Sequence, residues 1–395
     1  MRAHLHHLRR DQRGMSLVFV SVAFMALLSA TTLAIDVGMF MNARSQAQNA
    51  ADAGALAGAT ALVFNSFTDR TSTGPAVSSA VSTALANKVA GANVSVTPAD
   101  VTFPNDPSGQ PTRVQVQVYR TAARTNPLST LMGGFFGVTT ADVTAVATAE
   151  ASPANAMTCV KPFMIPDKWR ENVDSKGNPD GPWTTTSTYD EFDNKGNLLP
   201  NPDVYIPAGQ PGYTGYTTAN DVGTQLVLRA GNGDQPNPSF YYSWKMPNDI
   251  GGNFYRDNID QCNTSVISYD PNNPYLMTQE PGDKQGPTVQ GIQDLIDRDS
   301  NAYWDTGCKC VKGSAFSISP RVFPIPLFNP QYYEEGKANG RPASFELANF
   351  LGFFADHVDN NGKIYGIITE IVGVVDPNAG PAPADMFVRA IRLVQ

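Results

Sequence analysis

Cys159, Cys262, Cys308 and Cys310 are the side chains of this 395-residue sequence best suited to covalent chemistry. An even set of thiols reads as disulfides when the chain meets an oxidising compartment. Four cysteines allow three connectivities. Cys308 and Cys310 are one residue apart, a spacing that disfavours a bond between them, so each is expected to join a distant partner, Cys159 or Cys262. Zinc is the rival use of the thiols. Cys-Lys-Cys is a weak metal spacing, and His357 is the one histidine beyond residue 7 that could complete a ligand set.

Acid–base and nucleophilic chemistry find little to work with. His4, His6 and His7 cluster at the N-terminus, leaving His357 in "FFADHVDNNG" as the candidate base, and it reads as a hairpin-edge residue. No G-x-S-x-G, H-E-x-x-H or S-x-x-K frame accompanies a nucleophile. The expectation is therefore no catalytic residue, no cofactor and no enzyme. Oxygen ligands concentrate in "YDEFDNKGN" and "DHVDNNG", which raises calcium. Neither string fits the EF-hand loop: with Gly362 at its sixth position the first is His357, and with Gly196 there the fifth is Lys195. Both read more simply as β-turns, and no metal is expected.

The elements that position these residues begin with an apolar run, Met15 to Ile35, of 21 residues without a charge. As a helix it measures roughly 31 Å, the thickness of a bilayer's hydrocarbon core. A cleaved signal peptide is the competing reading. The run is longer than an ordinary h-region, and "AIDVG" puts an acid where a small-residue cleavage site belongs. Arg2, Arg9, Arg10 and Arg13 against Asp11 give the first 14 residues a net charge of +3, within a chain of net −8. By the positive-inside rule the N-terminus is cytoplasmic and the bulk extracytoplasmic. That bulk carries −11, which argues against nucleic-acid binding.

No proline occurs between Met1 and Gly74, so the helix is expected to continue outward as one rod to about Phe64. Nine of the twelve residues from Ala50 to Ala61 are Ala or Gly. Ala43, Ala47, Ala51, Ala55 and Ala59 recur every fourth residue, beside Ala50, Gly54 and Gly58. Such a stripe lets another backbone approach closely, and glycine in a helix costs about 1 kcal/mol against alanine unless packing repays it. Ala47, Ala51, Gly54, Ala55 and Gly58 are the expected packing face. Its partner is either the chain's own sheet or another protein.

Past the rod, "PAVSSAVSTALANKVA" has helical spacing, "RVQVQVYR" alternates as a strand, "NPLSTLMGGFFG" suggests a helix broken at Gly133-Gly134, and "ADVTAVATAEA" a returning strand. From about residue 153 the texture turns to Pro, Gly, Asn and aromatics. "TVQGIQDLIDRD" and "ASFELANFLGFFADHV" read as helices, "LVLRA", "IYGIITEIVGVV" and "MFVRAIRLV" as strands, and "VDNNGKIYG" as a hairpin turning at Asn361-Gly362. The fold class is thus α+β. The divisions are a basic arm (1–14), a transmembrane helix (15–35), its extracytoplasmic extension (36–65), a small α+β module (66–152) and a β-rich, disulfide-containing domain (153–395).

The stretch "RRDQRGMSLVFVSVAFMALLSATTLAIDVGMFMNARSQAQNAADAGALAGA" resembles the N-terminal segment of the Tad (Flp) pilus-assembly proteins of the TadE/TadG-like group. The likeness spans about residues 9–62 and rests on Gly14 after a basic stretch, Asp36 and Gly38 in "AIDVG", Arg44, and Gln48, Asn49 and Asp52 in "QNAADAGALAGA". It implies a part in building or anchoring adhesive pili, with the membrane and other pilus-assembly proteins or subunits as partners. Pilin-like members are cut after a glycine and carry Glu five residues into the mature chain. Here the fifth residue after Gly14 is Phe19 and the first acid is Asp36, which favours an uncleaved anchor. Large TadG-like proteins often carry a von Willebrand A domain with a D-x-S-x-S metal site. The nearest string, Asp69 to Thr73, has Thr at both Ser positions and reads as a loop. A non-catalytic pilus-assembly or anchoring protein is the leading expectation, a tethered binding or adhesion module the alternative, and an extracytoplasmic enzyme the third.

Overall fold

The computed structural model describes residues 13–64, 69–107, 109–231, 235–247, 254–282, 284–316, 318–338, 344–384 and 386–394. Arg2, Arg9 and Arg10, with His4, His6 and His7, lie outside the described residues. The first element, α1, runs unbroken from Arg13 to Phe64. Its 52 residues extend about 78 Å at the helical rise. From Gly14 to Thr31 its side chains are all exposed. The hydroxyls of Ser21, Ser29 and Thr31 donate to the carbonyls of Leu17, Met25 and Leu27 one turn back, so these polar groups are satisfied within the helix.

The outer half of α1 is covered. Helix α2, Pro75–Ala86, starts with proline at its first turn, where a missing N–H costs nothing. A four-stranded antiparallel sheet lies against the same helix. It contains β1 (Val101–Thr102), β2 (Arg113–Arg120) and β5 (Val143–Pro153), with a fourth strand supplied by the end of the chain. Strand β2 alternates half-buried and buried along its whole length, as "RVQVQVYR" predicts, sending Val114, Val116 and Val118 into the core. Between β2 and β5, the short strands β3 (Leu128–Ser129) and β4 (Thr140–Ala141) pair into a hairpin. The helix expected in "NPLSTLMGGFFG" is reduced to a single 3-10 turn, Gly133–Phe136, at the tip of that hairpin.

The β-rich domain is built on a closed barrel. Its strands are β6 (Phe163–Pro166), β7 (Gln225–Ala230), β8 (Phe240–Ser243), β10 (Val322–Phe328), β11 (Ser344–Val358) and β12 (Ile364–Thr369). The order is β11-β10-β6-β8-β7-β12, and β12 pairs back onto β11 to close the ring. Strand β9, Leu276–Thr278, adds to the free end of β11. One apolar cluster takes residues from all six barrel strands, including Phe163, Leu226, Tyr241, Ile325, Phe353 and Ile368. The helices α3 (Phe254–Asp260) and α4 (Gln285–Arg298) add Ile259, Ile292 and Leu295 to it.

Two expectations are corrected. The segment "ASFELANFLGFFADHV" is β11 and not a helix. It is buried almost continuously on both faces, which erases the alternation that marks a half-buried strand, and its Leu, Ala and Glu carry helical propensity that the pairing with β10 and β12 overrides. The disulfides join Cys159 to Cys262 and Cys308 to Cys310. Cys308 and Cys310 pair across a tight turn at Lys309, whose φ is 52°, with their Cα atoms 5.2 Å apart.

The last strand, β13 (Arg389–Val394), pairs antiparallel with β5, Arg389 opposite Pro153 and Val394 opposite Thr148. The boundary placed at residue 152/153 is therefore crossed, because residues 389–394 belong to the first module's sheet.

Candidate functional site

The expected packing stripe is occupied by the chain itself. Ala43, Ala47, Ala50, Ala51, Ala55 and Ala59 are buried in one cluster with Ala76, Val77, Ala80 and Ala84 of α2, Val114, Val116 and Val118 of β2, and Ala145, Ala147 and Ala149 of β5. The two glycines mark the closest approach. A Cβ on Gly54 would stand 3.0 Å from the Ala80 carbonyl oxygen and 3.1 Å from Ala84 Cβ; one on Gly58 would stand 2.8 Å from Val114 Cγ1 and 3.1 Å from Ala80 Cβ. A hydrogen at these positions lets α2 and β2 sit on the helix backbone itself.

Polar residues of the rod also grip the module. Gln48 Nε2 donates to the Val146 carbonyl of β5 at 3.1 Å and to Asp52 Oδ1 at 2.8 Å, while Gln46 Oε1 accepts from the Ala90 N–H. Asp36 does so most completely. One residue beyond the apolar run, it is buried, and its carboxylate accepts the backbone N–H groups of Leu131, Met132 and Gly133, the last at 2.6 Å. Three N–H donors on one carboxylate form a charge-assisted cradle. Gly133 is needed there, since a Cβ would come within 2.6 Å of the Val138 carbonyl oxygen.

The remaining motif positions face outward. Gly38, Arg44 and Asn49 are exposed, as are Met41, Asn42 and Ser45 between them. Gly38, Met41, Asn42, Ser45 and Asn49 fall at helical i, i+3, i+4, i+7 and i+11 spacing, a continuous face just past the apolar run. A Cβ on Gly38 would meet nothing within 4 Å, and neither would one on Gly14.

The strings weighed for other chemistry are turns. Asp193 Oδ1 accepts from the N–H groups of Lys195 and Asn197, Asp359 Oδ1 from those of Asn361 and Lys363, and Asp69 Oδ1 from the N–H and hydroxyl of Thr71. His357 is exposed; its ring stacks on Tyr365 at 4.4 Å and its Nδ1 meets Asp356 Oδ2 at 2.9 Å.

Sequence reading met one cluster only in part: Asp190 lies in "YDEFDNKGN", a string weighed for calcium, whereas its partners Glu171 and Asp203 lie outside it. Carboxylate oxygens of Glu171, Asp190 and Asp203 lie within 4.8 Å of one another. Burial pushes Glu171 up to about 8, reinforced by the charge of Asp203, and pushes Asp190 up to about 6; burial raises Asp203 as well, against the backbone N–H groups of Asn172, Asp190 and Val173. Burial thus favours the protonated form of each of the three carboxyls, and their oxygen donor set is of the kind that suits a hard cation. A signal was present. "DSKGN" at 174–178 and "DNKGN" at 193–197 form matching hairpin turns, and an acid stands three residues before each, Glu171 and Asp190.

The fold thus defines a class: a chain whose long N-terminal helix is bare over its apolar half and clothed over its outer half by a module of its own. Residues 14–61 match the family model described as "Putative Flp pilus-assembly TadE/G-like". The matched segment coincides with α1, covers about an eighth of the chain, and supports a pilus-related envelope protein. No curated protein and no solved structure matches the chain.

Proposed function

We propose that this protein is a non-catalytic, membrane-anchored envelope protein that takes part in assembling or anchoring a Tad-type pilus. Its α1 crosses the membrane with the N-terminus cytoplasmic, and the module and barrel domain stand outside. The observation that carries the reading is the division of the matched segment into two faces. Its small residues are used up holding the chain's own module, yet Gly38, Met41, Asn42, Ser45 and Asn49 stay exposed on the same helix just beyond the apolar run. A helix already fully employed inside its own fold would have no face left for the pilus machinery; this one has.

Supporting the outward placement, all four cysteines are paired, as suits an oxidising compartment.

The test is photocrosslinking in native membranes from single positions on α1. Probes at Met41, Ser45 and Asn49 are expected to trap another pilus-machinery protein, and probes at the buried Ala47 and Ala51 to trap only this chain. Silence at all three outward positions would remove the physical basis of the assembly role.

A further inference from the structure

We propose that the hairpin tip formed by residues 130–138 is a second membrane contact, seated in the outer lipid interface beside the helix. The inference rests on the reading of Met15 to Ile35 as a membrane span.

From Pro127 to Ala141 the sequence "PLSTLMGGFFGVTTA" contains no charge. Its tip is an ordered structure. Thr130 N–H donates to the Thr139 carbonyl at 3.1 Å, Val138 N–H to the Gly133 carbonyl at 3.0 Å, and Thr130 Oγ1 to the Val138 carbonyl at 2.7 Å. Gly137, with φ of 81°, closes the 3-10 turn. Backbone groups satisfied in this way carry little penalty on entering an apolar boundary. The side chains displayed are large and apolar: Phe135 is 84% exposed, Leu131 66%, Phe136 61%, and Val138 more than half. Four such residues in nine make a contiguous apolar surface of a kind that marks a partner or a membrane.

Its height on the helix identifies the partner as lipid. The N–H groups of residues 131–133 are held by Asp36, the first residue after the apolar run. At about 1.5 Å of rise per residue, the tip is fixed level with the end of the hydrocarbon-matched segment. Leu33, Ile35 and Val37 are exposed on the helix at the same level, so large apolar side chains stand on both helix and hairpin there. Asp36 itself can lie at that boundary because its charge is spread over three N–H donors. Interfacial segments bury their apolar face about 5–10 Å into the headgroup and acyl boundary. A helix alone lets the module swivel; a helix and a hairpin clamped by Asp36 fix its face toward the bilayer.

The experiment uses the full chain in phosphatidylcholine nanodiscs whose acyl chains carry bromine either near the carbonyl end or near the terminal methyl. Phe135→Trp and, as a span control, Phe24→Trp are each compared with the unsubstituted chain to remove the emission of the native tryptophans. The expected result is loss of most of the added Phe135→Trp emission with bromine near the carbonyl end and a smaller loss with bromine near the methyl, and the reverse order for Phe24→Trp. If Phe24→Trp is quenched and Phe135→Trp by neither lipid, the hairpin stands in water or against another protein and the proposal fails while the span reading stands. If neither residue is quenched, both fail.

Discussion

Replacing Gly58 by alanine measures how closely the module holds the helix. The new methyl would lie 2.8 Å from Val114 Cγ1, so the neighbour must give by roughly 0.6 Å to reach an ordinary contact. It has little room, because Val114 is fully buried on β2 and Ala80 Cβ and the Ala76 carbonyl close the other side at 3.1 and 3.3 Å. Overpacking of this kind costs about 1–3 kcal/mol, while the exchange of Gly for Ala within a helix returns about 1 kcal/mol. The net change is between zero and about 2 kcal/mol of destabilisation. Gly38→Ala supplies the reference: the same exchange on the same helix, into open space, takes the favourable part without the clash. The difference between the two variants in chemical denaturation, measured in detergent micelles, should therefore be about 1–3 kcal/mol, the steric cost by itself. Equal stability of the two would refute the claim that close backbone approach is what requires glycine at position 58.

Two further predictions concern the barrel domain. The folded protein keeps a proton on Glu171 up to about pH 8, whereas the unfolded chain releases it near 4.5, so this contribution is complete below about pH 4.5 and is lost as pH rises toward 8. Burial drives Lys161 the other way, down to about 7, so its opposing effect sets in above that value; between about pH 4.5 and 7 the carboxyls of Asp167, Asp190, Glu191 and Glu370, raised by burial to between about 6 and 8, add to Glu171 with the same sign. Within that range melting temperature should fall with rising pH, and Glu171→Gln should lessen the slope by its own share; an unchanged slope would count against the buried carboxylate cluster. Replacing Cys159 and Cys262 together by alanine opens a link across 103 residues and should cost about 4–5 kcal/mol in the chain-entropy account, whereas the same change at Cys308 and Cys310 should cost far less because two residues enclose almost no loop. Denaturation of the two double variants checks the order.

The parts of the fold that could be read from the sequence are those governed by local repetition. The absence of proline and the length of the apolar run define α1, the four-residue recurrence of alanine defines its packed stripe, and strict alternation defines β2. What could not be read depends on partners distant in sequence. Strand β11 shows no period because the barrel buries both its faces. The bond between Cys308 and Cys310 closes over a tight turn at Lys309, and nothing about a lysine announces a tight turn. Asp36 was legible as a charge at the end of the run, but its N–H donors lie 95 to 97 residues away. The stripe's partner was open between the chain's own sheet and another protein, since small residues invite any close surface; the structure moves the free face to Gly38, Met41, Asn42, Ser45 and Asn49.

The course of the chain joins the barrel to α1 through paired strands. Residues 154–388 enter from the end of β5 and return at the start of β13, and these two strands are neighbours in the sheet that lies on α1. Ala154 N–H also donates to the Val388 carbonyl, so the ladder continues one step past the strands to the root of the barrel domain. A domain tied by one linker moves freely relative to its neighbour by default. Here both connections leave side by side from a hydrogen-bonded pair, and the barrel cannot be displaced without working against that ladder. Force applied to the barrel would pass through β5 and β13 to the small-residue face of α1 and thence to its bare apolar half. The glycines at 54 and 58 matter to this path because they bring the sheet and α2 onto the helix backbone, where many short contacts share the load that a few long side chains would otherwise have to bear.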